Sequence, residues 1–293
     1  MNQINIPAYA KINLCLDVFG QRPDGYHTVR MLMQSLELHD TLYLSRTETP
    51  GITVIPYAPE NDPSIPWDER NLAYQAANLF FQTYSIKGGV QIAIDKQIPA
   101  AAGLAGGSSD AAATLKGLNA LFNTNCTLEE LQQLGVKLGA DIPYCLLLGT
   151  ALAEGIGEQL TPLPKAPHFY CTLIKPSTGI STKYIYEHLE LSPDTSHPDT
   201  EAALAAVTAQ DRQMLAASLG NILEASALTL CPEIKKIKAD LISLGASGVL
   251  MTGSGPTVFG LFETKEASFH AAEYFCAHGY PTTSFVTEFY DPS

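Results

Sequence analysis

Val90, Ile92 and Ile94 alternate with Gln91, Ala93 and Asp95. A period of two predicts a strand with one buried face. Upstream, Leu72, Ala76 and Leu79 recur at helical spacing behind Asn71, a residue suited to a helix start. After the strand, residues 111–122 are Ala-rich and place Leu115, Leu118, Leu121 and Phe122 on one helical face. Thr127 and Glu130 form a capping-box pattern for a helix over 128–138, with Gly139 as its stop. Pro232 suits the first position of a helix carrying Ile234, Ile237, Leu241 and Leu244, closed by Gly245. Short strands are predicted at 248–252 and 257–262 around the turn Gly253-Ser254-Gly255-Pro256, then a helix at 265–277 and a strand at 285–290. The run 144–148, between Pro143 and Gly149, reads as a buried strand or helix segment, and 56–66 as a loop. The fold class expected is α+β, with antiparallel strands in the C-terminal part.

Length changes this picture first. A chain of 293 residues suits two domains better than one core. The Gly- and Pro-rich stretch 155–167 is the candidate boundary, giving domains 1–160 and 161–293. With 46% hydrophobic and 16% charged residues the chain is not of disordered type. No stretch approaches the ~20 apolar residues of a membrane helix. The N-terminus lacks the basic start and apolar region of a signal peptide, so a cytoplasmic protein is expected, with no membrane partner. Six scattered cysteines without C-x-x-C spacing read as reduced, mostly buried thiols. A net charge of −13 repels polyanions and argues against a nucleic-acid partner. It does not forbid ATP, because helix-start N–H groups and a few lysines bind phosphate locally.

The candidate chemistry begins between the strand at 90–94 and the Ala-rich helix, at Pro99-Ala100-Ala101-Ala102-Gly103-Leu104-Ala105-Gly106-Gly107-Ser108-Ser109-Asp110. Small residues before a helix let the backbone approach an anion, and the first helical turn offers unpaired donors. Ser108 and Ser109 could cap the helix or reach a phosphate or its Mg²⁺. A tight packing turn that binds nothing would have the same composition. The loop is neither a Walker A motif nor G-x-G-x-x-G.

This loop resembles the phosphate loop of the GHMP kinases. Ala10-Lys11-Ile12-Asn13-Leu14 is similar to that family's first motif, and Thr252-Gly253-Ser254-Gly255-Pro256-Thr257-Val258-Phe259 to its third. Gly20-Gln21-Arg22-Pro23-Asp24-Gly25-Tyr26-His27 and Gly139-Ala140-Asp141-Ile142-Pro143-Tyr144 resemble the branch acting on a cytidine-diphosphate-linked sugar alcohol of isoprenoid precursor synthesis. The phosphate loop departs from the family in carrying Ala100, Ala101, Ala102 and Ala105 where many relatives have more glycine.

The resemblance implies a two-domain α+β kinase with its active site in the inter-domain cleft, using ATP and Mg²⁺ to phosphorylate a hydroxyl. The metal ligands and the oligomeric state, monomer or weak dimer, are not readable. It implies that residues 99–109 bind ATP, that Asp141 is the catalytic base and that Lys11 is its cationic partner. It also implies that Tyr26, His27 and Tyr186 hold the cytosine, with Asn13 and Thr182 as polar contacts. Each residue has a plainer reading. Lys11 could face solvent from an edge strand, Asp141 could cap a helix or sit in a turn, and Tyr186 could be core. His39, His168, His188, His197, His270 and His278 show no partner pattern. Two other readings compete: a GHMP kinase acting on mevalonate or homoserine, for which Tyr26 and His27 have no use, and a non-catalytic nucleotide sensor on the same fold.

Overall fold

In chain order the elements of the computed structural model are β1 (Gln3–Gln21), β2 (His27–Thr47), β3 (Gly51–Pro56), α1 (Leu72–Tyr84), β4 (Gly89–Asp95), α2 (Gly106–Phe122), α3 (Leu128–Gly135) and α4 (Ile142–Leu147). There follow β5 (Thr150–Glu154), β6 (Gln159–Pro162), β7 (Tyr170–Pro176), α5 (Thr182–Glu187), α6 (Thr200–Ala209), α7 (Arg212–Ala217), β8 (Gly220–Asn221), α8 (Glu224–Leu230), α9 (Glu233–Ser243), β9 (Gly248–Met251), β10 (Val258–Phe262), α10 (Lys265–Ala277) and β11 (Thr282–Tyr290). The structure describes residues 2–59, 62–192 and 194–292; positions 60 and 61 of the predicted loop lie outside them.

Two compact units share the chain. The first is Met1–Ala10, Leu38–Ala100 and Ala105–Leu148; the second is Lys11–Glu37, Ala101–Leu104 and Gly149–Ser293. In the first unit, the end of β2 pairs antiparallel with β4 from Thr41↔Asp95 to Thr47↔Gly89, and β3 runs parallel to β4. Leu42, Leu44, Ile92 and Ile94 from these strands are buried. Helix α2 lies close on this sheet because it carries Gly117: a Cβ there would stand 2.9 Å from a Leu44 methyl. Helix α1 packs against α2 and buries Ala73, Ala76, Ala77 and Phe80. Its start is built as expected, with Asn71 Oδ1 accepting from the Ala73 N–H at 2.9 Å. Thr127 and Glu130 complete the capping box of α3 at 3.2 and 2.8 Å. That helix ends at Gly135, three residues short of expectation.

In the second unit, β11 connects β2 to β7, and β10 and β9 extend the sheet antiparallel beyond β7. Phe169, Phe259, Phe262 and Phe275 fill its core. The stretch after residue 155, read as a boundary, opens with a tight turn at Gly155 and Gly157, which joins β5 to its antiparallel partner β6. The run 144–148 resolves as helix: Ile142 to Leu147 form α4, with Leu148 as its C-cap.

The largest departure from expectation lies at α2. The helix begins at Gly106, five residues before the predicted start at 111. Ala105 precedes it in the left-handed region, at φ 61°, and makes no side-chain cap. Gly106, Gly107, Ser108 and Ser109 therefore form the first helical turn, although their composition reads as loop.

Candidate active site

Within the second unit the three motif segments come together. Lys11 and Asn13 stand two residues apart on β1 and so share a face. Lys11 is only 4% exposed, which removes the solvent-facing reading. Its Nζ donates to Asn13 Oδ1 at 2.8 Å, and its backbone N–H donates to the Leu104 carbonyl at 3.2 Å. Asn13 is fully buried; its N–H donates to Thr252 Oγ1 at 3.1 Å and its amide reaches Met31 Sδ at 3.3 Å. Gly103, at φ 73°, lies against the third motif: a Cβ there would meet the Thr252 carbonyl at 2.5 Å and the Gly255 carbonyl at 3.3 Å. The third motif is itself pinned. Asn221 Nδ2 donates to the carbonyls of Met251 and Gly253 at 2.8 Å each, and the Met251 N–H donates to Glu224 at 3.1 Å. Asn221 and Glu224 carried no sequence signal, because their partners are carbonyl and amide groups about thirty positions away.

The same unit assembles the residues expected to hold a base. The link between β1 and β2 is a turn in which Asp24 accepts from the Tyr26 N–H at 3.1 Å and pairs with Arg22 at 3.0 Å. The Arg22 guanidinium holds the Asp24 carboxyl below its ordinary range. Gly25 takes φ 87° and the turn presents Tyr26, which is 57% exposed and therefore no core residue. The His27 and Tyr186 rings stand 5.1 Å apart at 40°. Thr182 lies one turn before Tyr186 on α5, so the two share a helix face. The Thr182 hydroxyl meets Ser254 Oγ at 2.7 Å, which ties α5 to the third motif. In the sequence Ser254 is one residue of the third motif, and the structure gives its hydroxyl this partner. His197 also has a partner that the sequence did not reveal, Asp17 Oδ1 at 2.7 Å.

The first unit holds the start of α2 and the Gly139-Ala140-Asp141 segment. Gly107 is exposed and Ser108 half-buried in the first turn of α2. Ser109 is buried, and its hydroxyl donates to the Tyr9 carbonyl at 2.6 Å. With Ala105 as N-cap, no side chain of the cap residue bonds to the helix start. Asp141 occupies the N-cap position of α4, yet its side chain makes no capping bond to that helix. Capping is thus not what its carboxylate does. Pro99 and Ala100 lead into the loop half-buried, whereas Ala102 and Leu104 are buried. No helix among the described residues is long and apolar enough to cross a membrane.

Comparison with known proteins places these features. The GHMP kinases N terminal domain family matches residues 71–149 and the GHMP kinases C terminal family matches 203–281. The chain is 50% identical over 291 residues to a protein of Lachnoclostridium phytofermentans named 4-diphosphocytidyl-2-C-methyl-D-erythritol kinase, with 99% of both chains covered. A protein of the same name from Lachnospira eligens is 42% identical over the full length of both. A crystal structure of 4-(cytidine 5'-diphospho)-2C-methyl-D-erythritol kinase superposes with a TM-score of 0.82 at 33% identity, covering 99% of this chain and 100% of that one. The homoserine kinase of Cytophaga hutchinsonii shares the fold, with a TM-score of 0.81 at 21% identity over 99% of this chain and 95% of its own. The chain belongs to the GHMP kinase family, in the branch whose relatives are named 4-diphosphocytidyl-2-C-methyl-D-erythritol kinase.

Proposed function

We propose that the chain transfers the γ-phosphoryl group of ATP to the 2-hydroxyl of 4-diphosphocytidyl-2-C-methyl-D-erythritol, a step of the methylerythritol phosphate route to isoprenoid precursors. The observation that carries this reading is the 50% identity over nearly the whole chain to a relative of that name. The local arrangement agrees with it. A lysine buried against Asn13, three motif segments in contact and a His27–Tyr186 ring pair are what a kinase acting on a cytosine-bearing alcohol would use.

Phosphoryl transfer demands mainly positioning and charge stabilisation. In this reading residues 99–109 hold the nucleotide phosphates, with the uncapped start of α2 supplying N–H donors. Mg²⁺ bound with the nucleotide would neutralise charge on the phosphate oxygens. No cluster of three or more His, Cys, Asp or Glu suited to a metal is present among the described residues, which fits a cation carried in by phosphates and water with few protein ligands. Asp141 accepts the proton of the substrate hydroxyl. Lys11, oriented by Asn13, steadies the carboxylate and the developing charge. His27 reads the base edge, Tyr26 and Tyr186 flank its faces, and Asn13 and Thr182 supply polar contacts. A cytoplasmic monomer or weak dimer completes the reading.

An ADP-release assay tests it. Turnover is expected with the cytidine substrate and ATP, and none with mevalonate or homoserine. Turnover of either acid in preference would transfer the chain to another branch, and binding of ATP without turnover of any of the three would make it a sensor. His27→Ala and Tyr186→Ala are each expected to weaken the cytidine substrate by about 1–3 kcal/mol in KM or Kd, with the ATP KM near wild type. Loss of ATP binding with the cytidine ligand retained would invert the assignment.

A further inference from the structure

We propose that Asp40, Lys96 and Asp110 form a buried clasp that closes the two ends of the phosphate loop onto one another, and that they are positioning residues for ATP. This inference rests on the kinase reading above.

Lys96 stands just after β4, where the chain leaves the sheet, and Asp110 stands in α2, where the chain re-enters regular structure. The whole segment 99–109 lies between them. Lys96 Nζ donates to Asp110 Oδ2 at 2.7 Å and also to Asp40 Oδ2. The other oxygen of Asp40 accepts from the backbone N–H groups of Gln97 at 2.5 Å and Ile98 at 2.8 Å. Asp40 therefore holds three consecutive residues at the start of the loop, while the Lys96 ammonium reaches across to its far end. The side chains are 0%, 8% and 5% exposed for Asp40, Lys96 and Asp110.

Three buried charges are a costly way to hold two chain ends, since apolar side chains of similar volume stabilise as well or better. The loop supplies the reason. Ala101, Gly103 and Ala105 all take positive φ, at 50°, 73° and 61°. Two of the three are alanines, for which that region is unfavourable. Such a backbone persists only where its surroundings over-determine it. Directional hydrogen bonds fix the ends in a way that apolar contacts cannot. The clasp lies beside the helix start: a Cβ on Gly106 would stand 3.7 Å from Lys96 Nζ.

The charges are balanced in a particular way. One lysine serves two carboxyls, and Asp110 Oδ1 has no hydrogen-bond partner. Burial, only partly offset by Lys96, pushes the Asp110 carboxyl up to about 8. Burial also works to lower the Lys96 pKa, but the carboxylates of Asp110 and Asp40 outweigh it and hold the ammonium above its ordinary value. What the geometry asks of Asp110 is one acceptor oxygen for the ammonium, and an amide at 110 keeps such an oxygen.

Steady-state kinetics on the full-length chain test this, with thermal unfolding as the control for folding. Lys96→Met is expected to raise the KM for ATP about tenfold or more, with kcat and the KM for the cytidine substrate within about twofold of wild type. Asp110→Asn, which keeps the acceptor oxygen, is expected to retain an ATP KM within about threefold of wild type, whereas Asp110→Leu behaves like Lys96→Met. If Lys96→Met does not fold, the pair Lys96→Met with Asp110→Leu removes the lysine together with the acid it serves in α2, and is expected to fold with the same raised ATP KM. A folded Lys96→Met or paired variant with a normal ATP KM overturns the clasp. So does a uniform loss in which both KM values and kcat change together. An inactive wild-type chain would instead strike the kinase reading itself.

Discussion

Asp141→Asn is expected to lower kcat about 10²–10⁴-fold while both substrates still bind, because it removes the proton acceptor and the negative charge but keeps size and shape. Asp141 sits at the N-cap of α4 without a capping bond to that helix, so a loss of activity would not be the loss of a helix cap. Thermal unfolding of the variant checks that its fold is kept. Lys11→Met is expected to produce a loss of similar size, but for a different local reason. It deletes a buried ammonium and leaves Asn13 Oδ1 without its 2.8 Å donor, which should cost about 1–3 kcal/mol of stability as well. If the two residues work on one hydroxyl as a unit, the double variant is little worse than either single one. Losses that multiply would mean independent action. A near-normal kcat for Asp141→Asn would leave transfer to positioning and phosphate neutralisation alone.

Local chemistry was the legible part of this chain. The caps at Asn71 and Thr127, the alternation of 90–94 and the α10 helix are each decided by residues within a few positions of one another. Elements that depend on distant partners were less visible. The long strands β1 and β2 are buried continuously over 10–18 and 31–36, where no alternation marks them, and each contributes residues to both compact units. The start of α2 was displaced because Gly-Gly-Ser-Ser is a loop composition by propensity. Burial of Ser109, with its hydroxyl on the Tyr9 carbonyl, overrides that propensity. The same division runs through the site. Lys11, Asn13 and the third motif were found because they resemble a known pattern, whereas Ser254 in its role toward Thr182, Asn221 toward the third motif, and the Asp40–Lys96–Asp110 clasp are pairings of residues far apart. Nothing in their spacing announces them.

Gly103→Ala is expected to be the most damaging single-methyl change in the loop, and Gly106 provides its control. Gly103 combines two constraints. Its φ of 73° lies in the left-handed region, which costs an alanine about 1–2 kcal/mol. Ala101 and Ala105 bear that same cost in the native loop, so it is not decisive alone. The second constraint is steric: the new Cβ would stand 2.5 Å from the Thr252 carbonyl oxygen. That oxygen cannot withdraw cheaply, since it accepts from the Gly255 N–H at 3.0 Å and the Thr252 N–H is tied to the Thr257 carbonyl at 3.0 Å. Either the loop lifts away from the third motif or the motif turn breaks. The expected outcome is a loss of about 2–4 kcal/mol in urea unfolding and, in the folded fraction, an ATP KM raised about tenfold or more. Gly106 has a helical backbone, and its nearest obstacle is an Ile98 methyl at 3.0 Å, a side chain that can shift. Alanine is also a better helix former than glycine, so Gly106→Ala should change stability by under about 1 kcal/mol. Equal effects at the two positions would mean that loop composition matters and the contact with Thr252 does not. A Gly103→Ala variant with unchanged stability and unchanged ATP KM would separate residues 101–104 from nucleotide binding altogether.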